Sequence, residues 1–166
     1  MLRILAALMF TFAGTFAGGA FSFRLRERRE VCRCIGLLLN EAAVGIRCRG
    51  ADVYELSVIF RSSPGLSALT FLEGLPEHYE PGRDFRGQWR EALSGQQLPE
   101  DEFQLLSEFG EIIGKTDTEG QLSIIEGLKE RLGRITVSRE EAYSQKGRMY
   151  RSVGVLFGVM AGILVV

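Results

Sequence analysis

The chain has 166 residues, with 20 Lys and Arg against 21 Asp and Glu and a formal net charge of −1. That balance excludes a strongly basic nucleic-acid binder and an acidic disordered tail. The charges are unevenly placed: apart from Arg3, all lie between Arg24 and Arg151, so both ends are apolar and a simple soluble protein is the first reading to drop.

Ile4 to Phe23 is 20 residues without a charge. A helix of that length spans about 30 Å, the thickness of a bilayer's hydrocarbon core. A signal peptide is the rival reading, with Arg3 before the apolar run and the small residues Ala17, Gly18, Gly19 and Ala20 near its end. No clean A-x-A cleavage site follows, and Arg24, Arg26, Arg28 and Arg29 come next. Such a block resists translocation, which favours an uncleaved membrane helix.

The next residues, Arg24 to Cys48, read as a helix with Leu37, Leu38, Leu39, Ala42 and Ile46 on its apolar part and an end near Gly50. Asp52 is an N-cap for Val53 to Arg61. Ser63 and Pro64 read as the cap and first position of another helix, with Leu66, Leu69, Leu72 and Leu75 at steps of three. Pro76 to Gly82 is an irregular connection. Asp84 restarts a helix carrying Phe85, Trp89, Ala92 and Leu93.

Pro99 opens a further helix, with Glu100, Asp101 and Glu102 at the positive end of its dipole. Phe103, Leu106, Phe109, Ile112 and Ile113 form its predicted stripe, and Gly114 suits a left-handed end. Thr116 and Glu119 have capping-box spacing for a last helix, whose face carries Leu122, Ile125, Leu128, Leu132 and Ile135. Ser152 to Val166 is the second charge-free end, read with Met149 to Arg151 as a short span in which Arg151 reaches back to the interface.

The fold class expected is therefore all-α. A helical-bundle domain over 24–148 is flanked by transmembrane helices over 1–23 and 149–166. Gly14 and Gly18, and Gly154, Gly158 and Gly162, recur every four residues and would let membrane helices pack closely. Arg24, Arg26, Arg28 and Arg29 follow the first span, and Lys146, Arg148 and Arg151 precede the second. The middle segment is thus expected in the cytoplasm.

Chemistry is sparse. Cys32 and Cys34 diverge by about 200° on a helix and do not readily share an ion, and Cys48 stands apart, so unreactive thiols are expected. Gly114-Lys115-Thr116 lacks the earlier glycine of a phosphate-binding loop and reads as a helix–helix turn. His78 has no Ser or Cys constellation around it. Glu100, Asp101, Glu102, Glu108, Glu111, Asp117 and Glu119 read as a solvated surface; a membrane-anchored metal-dependent hydrolase using them with His78 is the alternative. From Glu73 to Glu119 there are 12 acids and 4 bases, against 8 bases and 5 acids from Arg24 to Arg61. That polarity suits a basic protein partner or an asymmetric self-contact. No metal or cofactor, and no nucleic acid, is expected.

RLRERRE after the first span, GKTDTEGQ (Gly114 to Gln121) and KGRMYRSVGVLFGV (Lys146 to Val159) carry a resemblance along essentially the whole chain. The sequence resembles the stage III sporulation protein AB family of endospore-forming bacteria. That family is similar to the cytoplasmic helical domain of the type II secretion platform protein, the F component. The resemblance implies a non-enzymatic platform subunit in the outer forespore membrane, with its domain in the mother-cell cytoplasm. Its implied partners are membrane lipid, the channel subunits of a secretion-like complex, a secretion-type ATPase and copies of itself. Gly114, Lys115, Thr116, Asp117, Glu119, Gly120 and Gln121 would be a contact or packing turn.

Overall fold

The computed structural model describes residues 28–137, and Arg29–Thr136 form one unit. The described residues are helical, with no strand among them. No helix among them is long and apolar enough to cross a membrane. The spans expected over 1–23 and 149–166, with Gly14, Gly18, Gly154, Gly158 and Gly162, lie outside the described residues. So do Arg24, Arg26, Lys146, Arg148 and Arg151, whereas Arg28 and Arg29 begin the first described helix, exposed.

That helix, α1, runs over 28–44. Val31, Cys32, Cys34, Ile35, Leu38, Leu39, Ala42 and Ile46 are buried along it and its last turn. At 3.6 residues per turn they cover about 160° of its circumference, so neighbours pack on more than one side. The last turn widens into a π-helical turn, Gly45–Arg49. Gly50 then closes the helix in the left-handed region (φ 61°) and donates its N–H toward the Ile46 carbonyl. A Cβ on Gly45 would stand 2.7 Å from Leu56 Cδ2, so the bare backbone is what lets the next helix approach.

The second helix, α2, is Val53–Ser62. Asp52 accepts hydrogen bonds from the Tyr54 and Glu55 N–H groups while Glu55 accepts one from the Asp52 N–H, a complete capping box. Leu56 and Phe60 face the core.

The run with leucines at every third position is not an α-helix. It is two short 3₁₀ turns, Pro64–Leu66 and Thr70–Gly74. Each leucine N–H donates three residues back: Leu69 to Leu66, Leu72 to Leu69, Leu75 to Leu72. Side chains three apart eclipse in a 3₁₀ turn, and Leu66, Leu69, Leu72 and Leu75 are all buried. Ser63 does not cap this segment; its hydroxyl donates to Glu41 Oε1 at 2.7 Å. The Gln96 amide holds the connection from outside, donating to the Ala68 carbonyl and accepting from the Phe71 N–H.

The third and fourth helices, α3 (Phe85–Ser94) and α4 (Glu100–Ile112), form a hairpin. Its centre is Trp89, whose indole N–H donates to the Leu106 carbonyl at 2.9 Å. The expected stripe on α4 is partly out of register. Leu105, Leu106, Phe109 and Ile113 are buried, Phe103 and Ile112 only in part, and Glu102 and Gly110 join the buried face. Glu102 is a correction to the solvated acidic surface: it is fully buried and accepts a bond from the Cys32 thiol at 3.2 Å.

The last described helix, α5, covers 118–137 and buries Ile125, Leu128 and Leu132. Gly36 of α1 faces Leu132, Cys32 of α1 meets Glu102 at the start of α4, and Arg131 of α5 reaches Gln104 and Glu108. The beginnings of α1 and α4 and the late part of α5 therefore lie at one end of the unit.

Candidate functional site

The segment 114–121 joins α4 to α5, and its sequence dictates its shape. Gly114 takes φ 73° after the α4 end at Ile113, a conformation that side chains rarely adopt. A Cβ there would also meet Val53 Cγ1 at 2.7 Å. The Gly114 N–H is taken by Gln121 Oε1 at 3.1 Å, and the same amide donates to the Thr116 carbonyl at 2.7 Å. One glutamine thus satisfies a donor and an acceptor that the turn leaves free.

The cap of α5 differs from the expected one. Asp117, not Thr116, is the N-cap: its Oδ1 accepts from the Gly120 N–H at 3.1 Å, and the Thr116 hydroxyl donates to the same oxygen. With Asp117 in that place the third helical position is Gly120, which has no side chain to reach back, and Gln121 takes over the bracing. Glu119 is exposed and makes none of these bonds, and Lys115 is exposed as well. Asp117→Ala is expected to cost about 1 kcal/mol by loss of the cap. Glu119→Ala should stay within about 0.5 kcal/mol of the parent. Urea unfolding of the full chain in detergent micelles measures both.

The other candidates do not converge. Glu108 pairs with Arg131 at 2.9 Å and Glu111 with Arg90. The Arg90 hydrogen bond, more than its charge, holds the Glu111 carboxyl below the ordinary carboxylate range. Glu100 accepts from the Gln104 amide. Among the described residues no three of His, Cys, Asp or Glu stand where they would hold a metal ion. None of the three cysteines is joined in a disulfide. Cys32 turns toward α4 and Cys34 toward the Gly65 carbonyl (3.1 Å), the divergence their spacing predicts. Lys115 and Thr116 follow a helix and not a strand, so no phosphate loop forms.

His78 is exposed in the 76–82 connection. It lines an open groove of 530 Å³ with Arg49, Asp52, Tyr54, Glu55 and Val58 among its neighbours, and with none of Glu100 to Glu119. Sequence reasoning did not find this groove, because it forms where the π-turn, the start of α2 and the 76–82 connection meet. The π-turn and the start of α2 adjoin in sequence, but the 76–82 connection comes from beyond α2 and the 3₁₀ turns, and such a pairing leaves no local signature. Glu102 did have one: it precedes Leu105, Leu106 and Phe109 by three, four and seven residues, on the same helical face.

Within the turn at 114–121 the side chains of Lys115, Thr116, Asp117, Thr118 and Glu119 are exposed, and Gln121 is half-buried. No curated protein and no solved structure matches the chain. A family model described as stage III sporulation protein AB matches residues 3–166, nearly the whole sequence. The chain belongs to the stage III sporulation protein AB family.

Proposed function

We propose that the protein is a membrane-anchored platform subunit of a secretion-like channel complex between mother cell and forespore, acting by assembly and not by turnover. The observation that carries this reading is the pairing of charge-free ends, Ile4 to Phe23 and Ser152 to Val166, whose outer flanks carry Arg3 alone while the inner flanks carry Arg24, Arg26, Arg28 and Arg29 and then Lys146, Arg148 and Arg151, in a stage III sporulation family member. Lipid solvates the ends, and the positive flanks hold the helical unit in the mother-cell cytoplasm. The position of the start of α1 and the late part of α5 at one end of the unit supports it, since a body anchored at both ends needs its two chain ends on one side.

Its partners are the channel subunits, a secretion-type ATPase and copies of itself. The test is extraction and proteolysis of membranes from sporulating cells. The full chain should resist alkaline carbonate, and protease added outside sealed protoplasts should leave the 28–137 unit intact. Detergent-solubilised protein should co-purify with a secretion-type ATPase. Release by carbonate, or cleavage of the unit from outside, refutes the reading.

A further inference from the structure

The groove beside His78 has no part in the 114–121 turn, and its composition is specific. Four large hydrophobic residues are exposed among the described residues, and two of them, Val58 (43%) and Tyr79 (68%), line it. Tyr79 stands edge-on to Tyr54 at 6.2 Å, so two phenol rings form one wall. Asp52, Glu55 and Glu77 line it with Arg49, so three carboxylates face two guanidinium groups once the partner of Glu77, Arg61, is counted. The capping box uses the oxygens of Asp52 and Glu55 without neutralising them, and Glu77 pairs with Arg61 at 2.7 Å. Burial first, then the charges of Tyr79, Asp84, Asp52 and Glu80, push the Tyr54 phenol above its ordinary value.

We infer that this groove docks a basic segment of a partner protein, a lysine or arginine flanked by apolar side chains. The cation lies against the Tyr54 and Tyr79 rings and the carboxylate rim, and the apolar neighbours cover Val58 and Ile59. Charge complementarity selects the occupant. Anionic lipid headgroups and nucleic acid meet the same carboxylates and are repelled. The chain's own basic block, Arg24 to Arg29, leads into the start of α1, about 30 Å along that helix from the groove at its far end. The inference deepens the assembly role proposed above and rests on it.

The test replaces Val58 by the photo-reactive amino acid p-benzoylphenylalanine in the full chain and irradiates sporulating cells. The expected product joins the chain to one other protein, at a segment with lysine or arginine within a few residues of the cross-link. Its yield should fall about tenfold in a Glu77→Lys variant, because an exposed carboxylate lining the groove is replaced by a repulsive cation. Glu126→Lys, on the exposed face of α5, should leave the yield unchanged. Cross-links to lipid or to a second copy, a captured segment without basic residues, no cross-link, or a yield indifferent to Glu77→Lys each overturn the inference. Co-purification with a secretion-type ATPase is scored on the same variants. If it persists while the groove fails, the docking site is refuted and the assembly role is not.

Discussion

Trp89→Ala is expected to destabilise the unit by about 3–5 kcal/mol, the range for removing a large buried aromatic. Trp89 is 1% exposed and joins three further rings: Phe71 at 5.2 Å, Phe109 at 5.4 Å and Phe85 at 6.0 Å. Truncation empties the centre of the α3–α4 hairpin and frees the carbonyl bond to Leu106. Trp89→Phe separates these contributions. It retains much of the apolar volume and loses the hydrogen bond, so it should cost roughly 1–2 kcal/mol. Helix content by circular dichroism against urea, with the full chain in detergent micelles, measures both. A loss below about 1 kcal/mol for Trp89→Ala would show that the hairpin does not depend on this ring.

The second large effect comes from the smallest residue in the contact. A Cβ on Gly110 would lie 2.1 Å from Trp89 Cδ1 and 2.3 Å from Nε1. The ring cannot retreat without lengthening its bond to Leu106, so Gly110→Ala forces the hairpin apart. Alanine gains about 1 kcal/mol of helix propensity over glycine, but overpacking of this kind costs about 1–3 kcal/mol and more where the neighbour is rigid. Net destabilisation is expected. The chain has one tryptophan, so indole emission reports this contact alone and should shift to the red in Gly110→Ala. Adding Trp89→Ala to Gly110→Ala should cost less than the sum of the two, because the clash disappears with the ring. Full additivity would place the glycine's effect elsewhere.

Much of this architecture was legible in the sequence where punctuation is chemical. Asp52, Pro99 and Gly114 mark their helix ends because a carboxylate cap, a residue without an N–H and a residue tolerant of positive φ each suit one position. The motif GKTDTEGQ was legible as a turn and as part of a family resemblance, and the family model agrees. Its internal wiring was not, since Thr116 and Asp117 both qualify as caps and only the position of the first helical residue separates them. The leucines at 66, 69, 72 and 75 misled because a spacing of three belongs to both α- and 3₁₀-helices. The face of α4 was blurred for another reason: Gly110 contributes by having no side chain, and Glu102 is a carboxylate where apolar atoms are the rule. Neither appears in a search for hydrophobic periodicity.

The shared end at which α1 begins and α5 closes has a consequence for modularity. A unit whose two chain ends lie together can be lifted out of a host sequence with two cuts at one place. The gap can then be bridged by a short loop, leaving the flanking segments undisturbed. The Arg29–Thr136 unit can thus be exchanged as one piece for another of similar footprint.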